Sequence, residues 1–164
     1  MSDARYAASP WLRLLVIAAF ALAFAVVEAM VVYYLRKLFG LQFGVRSADT
    51  TIRFPHAYLS HEQAREAATI VMLLAIGFLA GRDWWQRLAY FLFAFGLWDI
   101  GYYVGLKIML DWPASLATRD LLFLLPHEWW APVWHPLLAS CGFIVTALLI
   151  LRWRRRTWGR SAAA

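Results

Sequence analysis

Four apolar stretches, separated by shorter polar and aromatic segments, decide what this chain can fold into. A helix needs about 20 apolar residues to cross a hydrocarbon layer about 30 Å thick. Spans of that kind are predicted at 12–38, 61–81, 84–110 and 132–152. Between Leu14 and Leu35 the first is interrupted only by Glu28. The second has the shortest apolar run, Ala67 to Ala80, behind a polar lead-in of His61, Glu62, Gln63, Arg65 and Glu66. The third carries Asp99 and, near its end, Lys107. The reading is an all-α polytopic membrane protein, a single domain over 1–164, with four transmembrane helices in a bundle and a basic tail at 152–164.

Composition supports this and narrows the chemistry. Hydrophobic residues make up 63% and charged residues 16%, whereas a soluble domain is about a quarter charged and about half apolar at most. The single cysteine, Cys141, excludes an intramolecular disulfide and any Cys-rich zinc or iron–sulfur site. No Gly-rich phosphate loop precedes a lysine, no His-Glu-x-x-His occurs, and the Glu-x-x-His pair of di-iron bundles is missing. His61 belongs to the polar lead-in of its span, so His135 is the one histidine expected within the apolar part of a span, which disfavours a haem held between two histidines. Ala23-Phe24-Ala25 has the form of a signal-peptidase site. The apolar run continues past it to Leu35, longer than a signal peptide's core, so the segment is expected to stay as a span.

Tryptophan and basic residues set the ends and the orientation. Aromatic rings with a polar edge concentrate at the water–lipid boundary. Trp11, Trp84, Trp85 and Trp153 mark one set of span ends, and Trp112, Trp129, Trp130 and Trp134 the other, while Trp98 lies inside a span. Arg152, Arg154, Arg155, Arg156 and Arg160 form the densest basic cluster, on the same side as Arg13, Arg82 and Arg87. Both termini are therefore expected in the cytoplasm. The partners implied are the lipid bilayer, anionic lipids at the basic tail, where each basic residue contributes about 1 kcal/mol, and further copies of the chain or a larger membrane complex. Nucleic acid is not among them, since the arginine run reads as a topology anchor.

Two connections lie on the opposite, outer side. The first, Phe39 to Ser60, ends in a predicted capping box of Ser60 and Gln63. In the second, Asp111 to Ala131, Thr118 is expected to start a short interfacial or re-entrant helix through Leu121–Leu125, stopped by Pro126.

The acids converge on that outer side. At about 1.5 Å per helical residue, Glu28 and Asp99 sit about 10 Å below the outer boundary, and the short second span draws Glu62 and Glu66 to headgroup level. Glu62, Glu66, Thr69, Leu73 and Gly77 share one helical face. His135, Ala139, Gly142 and Thr146 form a small, polar stripe on the fourth span. The expectation is an outward-facing intramembrane cavity of carboxylates and imidazoles built from Glu28, Glu66, Asp99 and His135, with Glu62, His127 and Glu128 behind them. A divalent transition metal such as iron, manganese or zinc, or a small ligand, would be its occupant. The competing explanations are structural. Glu28 pairs with Arg65 or a tyrosine hydroxyl, Asp99 is a hydrogen-bonded neutral acid, Glu62 answers a helix dipole, and His56 and His61 are solvated. Two other functions fit the same residues: a non-catalytic subunit or assembly factor of a larger complex, and a small proton-coupled transporter. Whether the chain is an enzyme is undecided at this level.

Overall fold

The computed structural model describes residues 10–38 and 56–161. It contains α1 (Pro10–Leu38), α2 (His56–Ala80), α3 (Trp84–Leu110), a two-stranded antiparallel sheet of β1 (Arg119–Phe123) and β2 (Trp129–Pro132), and α4 (Trp134–Ser161). Among the described residues, four helices are long and apolar enough to cross a membrane. Their bounds follow the predicted spans closely, with two differences. α4 runs on through the basic segment to Ser161. α2 begins at His56, immediately after Pro55 in the sequence, so Ser60 and Gln63 lie inside the helix and form no cap. The same shift puts Glu62 well past the first turn, too deep for the helix-dipole explanation. The remainder of the first connection lies outside the described residues.

α3 is the hub. It packs along α1, α4 and α2, whereas α1 and α2 approach each other at only a few points. Small residues make the close approaches possible. Gly101 and Gly105 face Ala25 and Ala29 of α1, where an added Cβ would come within 2.9 Å of each alanine methyl. Gly96 faces α4, where a Cβ would stand 2.7 Å from the Ser140 carbonyl oxygen. The ends of α3 are fixed separately. The Asp83 carboxylate accepts from the backbone N–H of Trp85 and Gln86 at its start. At its finish Asp111 adopts a left-handed conformation and its N–H donates to the Lys107 carbonyl.

Two apolar clusters occupy the two ends of the helix set. One gathers Leu14, Ile17, Ala21, Leu73, Ala89, Tyr90, Ala94, Ala147 and Leu151. The other gathers Ala29, Val32, Tyr103, Leu106, Leu110 and Val133. Along the helices, Glu28, Thr69, Asp99 and Ser140 fall between them, and with Glu62 they are the buried polar side chains among the described residues. The starts of α1 and α3 and the ends of α2 and α4 share one end of the molecule, tied by Arg13 donating to the Ala80 carbonyl, by Arg154 on Asp83, and by the edge contact of Trp85 with Trp153. We call this the tail end and the opposite one the hairpin end.

The second connection is not helical. Instead of the short helix predicted over Leu121–Leu125, β1 pairs with β2 in the register Arg119↔Pro132, Asp120↔Ala131, Leu121↔Trp130 and Phe123↔Trp129, with an irregularity at Leu122. The reason is the partner run. Trp129-Trp130-Ala131 reads as an interfacial aromatic belt but is also a β-prone strand within hairpin distance, and Pro126 between the runs supplies the turn. Pairing satisfies backbone groups that a five-residue helix would leave open at both ends. The stripe on the fourth span is also turned away: Ala139, Gly142 and Thr146 are exposed, and Ser140, Ala147 and Leu151 face the core.

These contacts predict a contrast between two glycines. Gly96→Val should cost about 1–3 kcal/mol, the usual price of overpacking a tight contact. Gly142→Val, with nothing within 4 Å of its added Cβ, should stay within about 0.5 kcal/mol. Unfolding of the two variants in mixed detergent, followed by circular dichroism, measures both.

Candidate functional site

The polar side chains of the hairpin end surround one cavity of about 120 Å³. That is several times the space one water needs. α1 contributes Glu28 and Arg36, α2 contributes Glu62, Arg65, Glu66 and Thr69, and α3 contributes Trp98, Asp99, Tyr102 and Tyr103. Arg119 through Leu124 of the hairpin and Trp130 lie against it too.

Arg65 organises the α1–α2 side. Its Nη1 forms a short ion pair with Glu28 Oε2, and its Nε donates to Glu62 Oε2 at 2.9 Å. The remaining Glu28 oxygen accepts from the Thr69 hydroxyl at 3.0 Å. Glu28 and Glu62 are both buried, at 5% and 7% exposure, so each needs the partner it has. The spacing explains the geometry. Glu62, Arg65 and Thr69 recur three and four residues apart on α2, which places them on one face of the helix opposite Glu28.

Glu66 has a different task. Its two oxygens accept from the backbone N–H groups of Leu124 at 2.7 Å and Leu125 at 3.2 Å. These N–H groups lie just past the end of β1, where the ladder offers them no carbonyl. The carboxylate therefore fastens the hairpin to α2.

The α3 side holds two further acids by hydroxyl groups. Asp99 Oδ2 accepts from Ser140 Oγ at 2.8 Å, a contact buried within the helices. Asp120 Oδ2, on β1, accepts from Tyr103 Oη at 2.9 Å. Neither acid forms an ion pair among the described residues, where the bridges are Arg65 with Glu28 and Glu62, Lys107 with Asp111, and Arg154 with Asp83. Burial pushes the Asp120 carboxyl up to about 6, outweighing the Tyr103 hydroxyl, the Leu121 N–H and the Arg36 charge, all of which favour ionisation. Arg36 itself lies over the Trp112 ring at 4.4 Å. An aromatic column of Phe95, Trp98, Tyr102 and Tyr103 runs up α3, each ring in contact with the next.

The structure thus brings Glu28, Glu62, Glu66 and Asp99 to one cavity and leaves the other expected residues outside its lining. His135 is exposed and stacks on Trp134, with ring centroids 3.7 Å apart. His127 is exposed, and exposed Glu128 accepts from the Trp130 indole. His61 is exposed as well, and the side chain of His56 lies outside the described residues. Among the described residues no three His, Cys, Asp or Glu side chains stand where they would share a metal ion. The cavity is a carboxylate–guanidinium site, without the imidazoles expected of it.

Several of its members were legible only in part. Thr69 shares the predicted face of Glu62. Ser140 and Asp120 were not singled out, because one sits in a plain apolar helix and the other in a segment read as the start of a helix. Comparison with known protein families, characterised proteins and solved structures finds none that matches this chain. The reading of function therefore rests on these residues.

Asp120 makes stability depend on pH with a defined sign. Its carboxyl titrates near 6 when folded, against the ordinary value of 3.8, so the folded protein holds this proton more tightly. Its contribution is fully present below the ordinary value and is lost as pH rises through about 6. Asp120→Asn should therefore gain on the wild type in melting temperature between pH 5 and pH 7.5. A gap that stays constant over that range would contradict it.

Proposed function

We propose that this chain is a multi-pass membrane protein with both termini in the cytoplasm, whose cavity beneath the outer hairpin binds a small organic cation bearing an ammonium group. The orientation rests on the arginines gathered at the tail end. The ligand class rests on one observation: Asp99 and Asp120 line the same cavity, and each is held by a hydroxyl, with no ion pair among the described residues. Among the described residues of the lining, Glu28, Glu62, Glu66, Asp99 and Asp120 stand with Arg36, Arg65 and Arg119, so that set is net acidic when fully ionised.

Three further features agree with that ligand. Arg65 is engaged by two carboxylates, and Glu66 by two backbone N–H groups, which leaves the two aspartates as the acids with capacity to spare. Trp98, Tyr102 and Tyr103 belong to the lining, and an alkylammonium over an aromatic face gains about 0.5–2 kcal/mol. A volume of about 120 Å³ suits a ligand of a few heavy atoms. A divalent metal is the weaker occupant, because among the described residues its donors are not gathered at one point.

The test is binding of a series of primary and quaternary alkylamines to the purified full chain in nanodiscs, with manganese and zinc as comparison. A small amine should bind and raise the melting temperature more than either metal. Asp99→Asn and Asp120→Asn should each weaken it about tenfold or more, the scale of a hydrogen bond to a charged group. Binding should also strengthen between pH 5 and pH 7.5, as Asp120 ionises. Amine affinity unchanged in both variants, or no amine binding at millimolar concentration, would defeat the proposal.

A further inference from the structure

The far end of the molecule carries a second recess of a different kind. Because α1 and α2 pack on α3 more than on each other, a cleft of about 480 Å³ opens between them at the tail end. Its floor and walls are Val16 and Ile17 of α1 and Ile76 and Leu79 of α2. Arg13 and Arg82 stand at its mouth. Val16 and Leu79 are 61% and 79% exposed, so the cleft is open along the side of the helices, where hydrocarbon would surround it.

Among the described residues that line the cleft, the charge is one-sided: Arg13 and Arg82 are its charged members. Arg13 is held in place by one N–H on the carbonyl of Ala80, a group the end of α2 leaves unsatisfied. An arginine has five such donors, so this anchor leaves most of them directed elsewhere. Arg82 is exposed and forms no ion pair among the described residues. The acid nearest to hand, Asp83, is taken by Arg154 and by the start of α3. Arg87 leans over the Phe78 ring at 3.8 Å and donates to the Gly81 carbonyl, which adds positive charge beside the mouth.

We infer that the cleft between α1 and α2 is a binding site for one acidic phospholipid, with an acyl chain along Val16, Ile76 and Leu79 and the phosphate at Arg13 and Arg82. An apolar slot open to hydrocarbon matches a lipid chain, and two arginines that form no ion pair among the described residues match its anionic head. Basic recesses between membrane helices recognise acidic headgroups by this combination. The site rests on Arg13 and Arg82 and not on the basic run at the end of α4, which would attract acidic lipids in general.

Native mass spectrometry of the full chain, delipidated in mild detergent and titrated with phosphatidylglycerol, phosphatidylcholine or glycerol phosphate, tests this. One phosphatidylglycerol should be retained preferentially over phosphatidylcholine, and glycerol phosphate should not replace it. Arg82→Gln should weaken retention about five-fold and the Arg13→Gln, Arg82→Gln pair about thirty-fold, in line with the attraction of each basic residue to an anionic lipid surface. Val16→Trp, which fills the cleft and leaves the Arg13–Ala80 contact alone, should also weaken it while the helical spectrum is kept. Arg155→Gln with Arg156→Gln should leave the single retained lipid in place. The inference is overturned if phosphatidylcholine is held equally, if glycerol phosphate competes fully, if Arg82→Gln and Val16→Trp bind as the wild type, or if only the tail variant loses lipid.

Discussion

The ion pair between Arg65 and Glu28 is the contact on which the hairpin end depends. α1 and α2 share little apolar surface, so α2 is placed against α1 by polar ties: Arg65 and Thr69 on Glu28 at one end, and Arg13 on the Ala80 carbonyl at the other. In hydrocarbon such ties are strong because the alternative is an unsatisfied charge. They are also directional, since a guanidinium satisfies a carboxylate only within a narrow range of positions. Glu62 completes the arrangement by holding Arg65 from the same helix. The result fixes the separation of α1 and α2 while leaving room between them, and the two recesses described above lie at its two ends.

The hairpin follows from the same requirement applied to backbone. A segment lying against the ends of membrane helices needs every N–H and C=O satisfied within the protein. The β1–β2 ladder meets most of that need, the Thr118 and Leu116 carbonyls accept from Val133 and Trp134, and Glu66 takes the two N–H groups past the strand end. Asp120 on Tyr103 then ties the strand to α3. The hairpin is thus fastened to two helices by two carboxylates. One of these, Asp120, changes charge near neutrality, which links the position of the hairpin to the electrostatics of the cavity below it.

The helices were legible because hydropathy over about 20 residues is a long, redundant signal. Glu28, Glu62, Glu66 and Asp99 were legible as a group because depth along a helix follows from residue counting. Their partners were harder. Counting fixes depth and not rotation, so Arg65 emerged as one choice for Glu28 among others, and Ser140 stayed hidden in an apolar helix. His135 was misplaced for that reason: its stripe of small residues turns outward, away from Asp99. The hairpin was missed because short apolar runs fit either period, and tryptophans at a boundary had a sufficient explanation already.

The most direct test of this account is a double-mutant cycle of Glu28→Gln and Arg65→Gln, with unfolding free energies measured in bicelles. If the pair sets the position of α2, either single variant leaves a buried charge uncompensated and costs about 3 kcal/mol. The double variant should then cost no more than either one. Single losses below about 0.5 kcal/mol, or losses that simply add, would show that the two side chains act independently and that apolar packing on α3 alone positions α2.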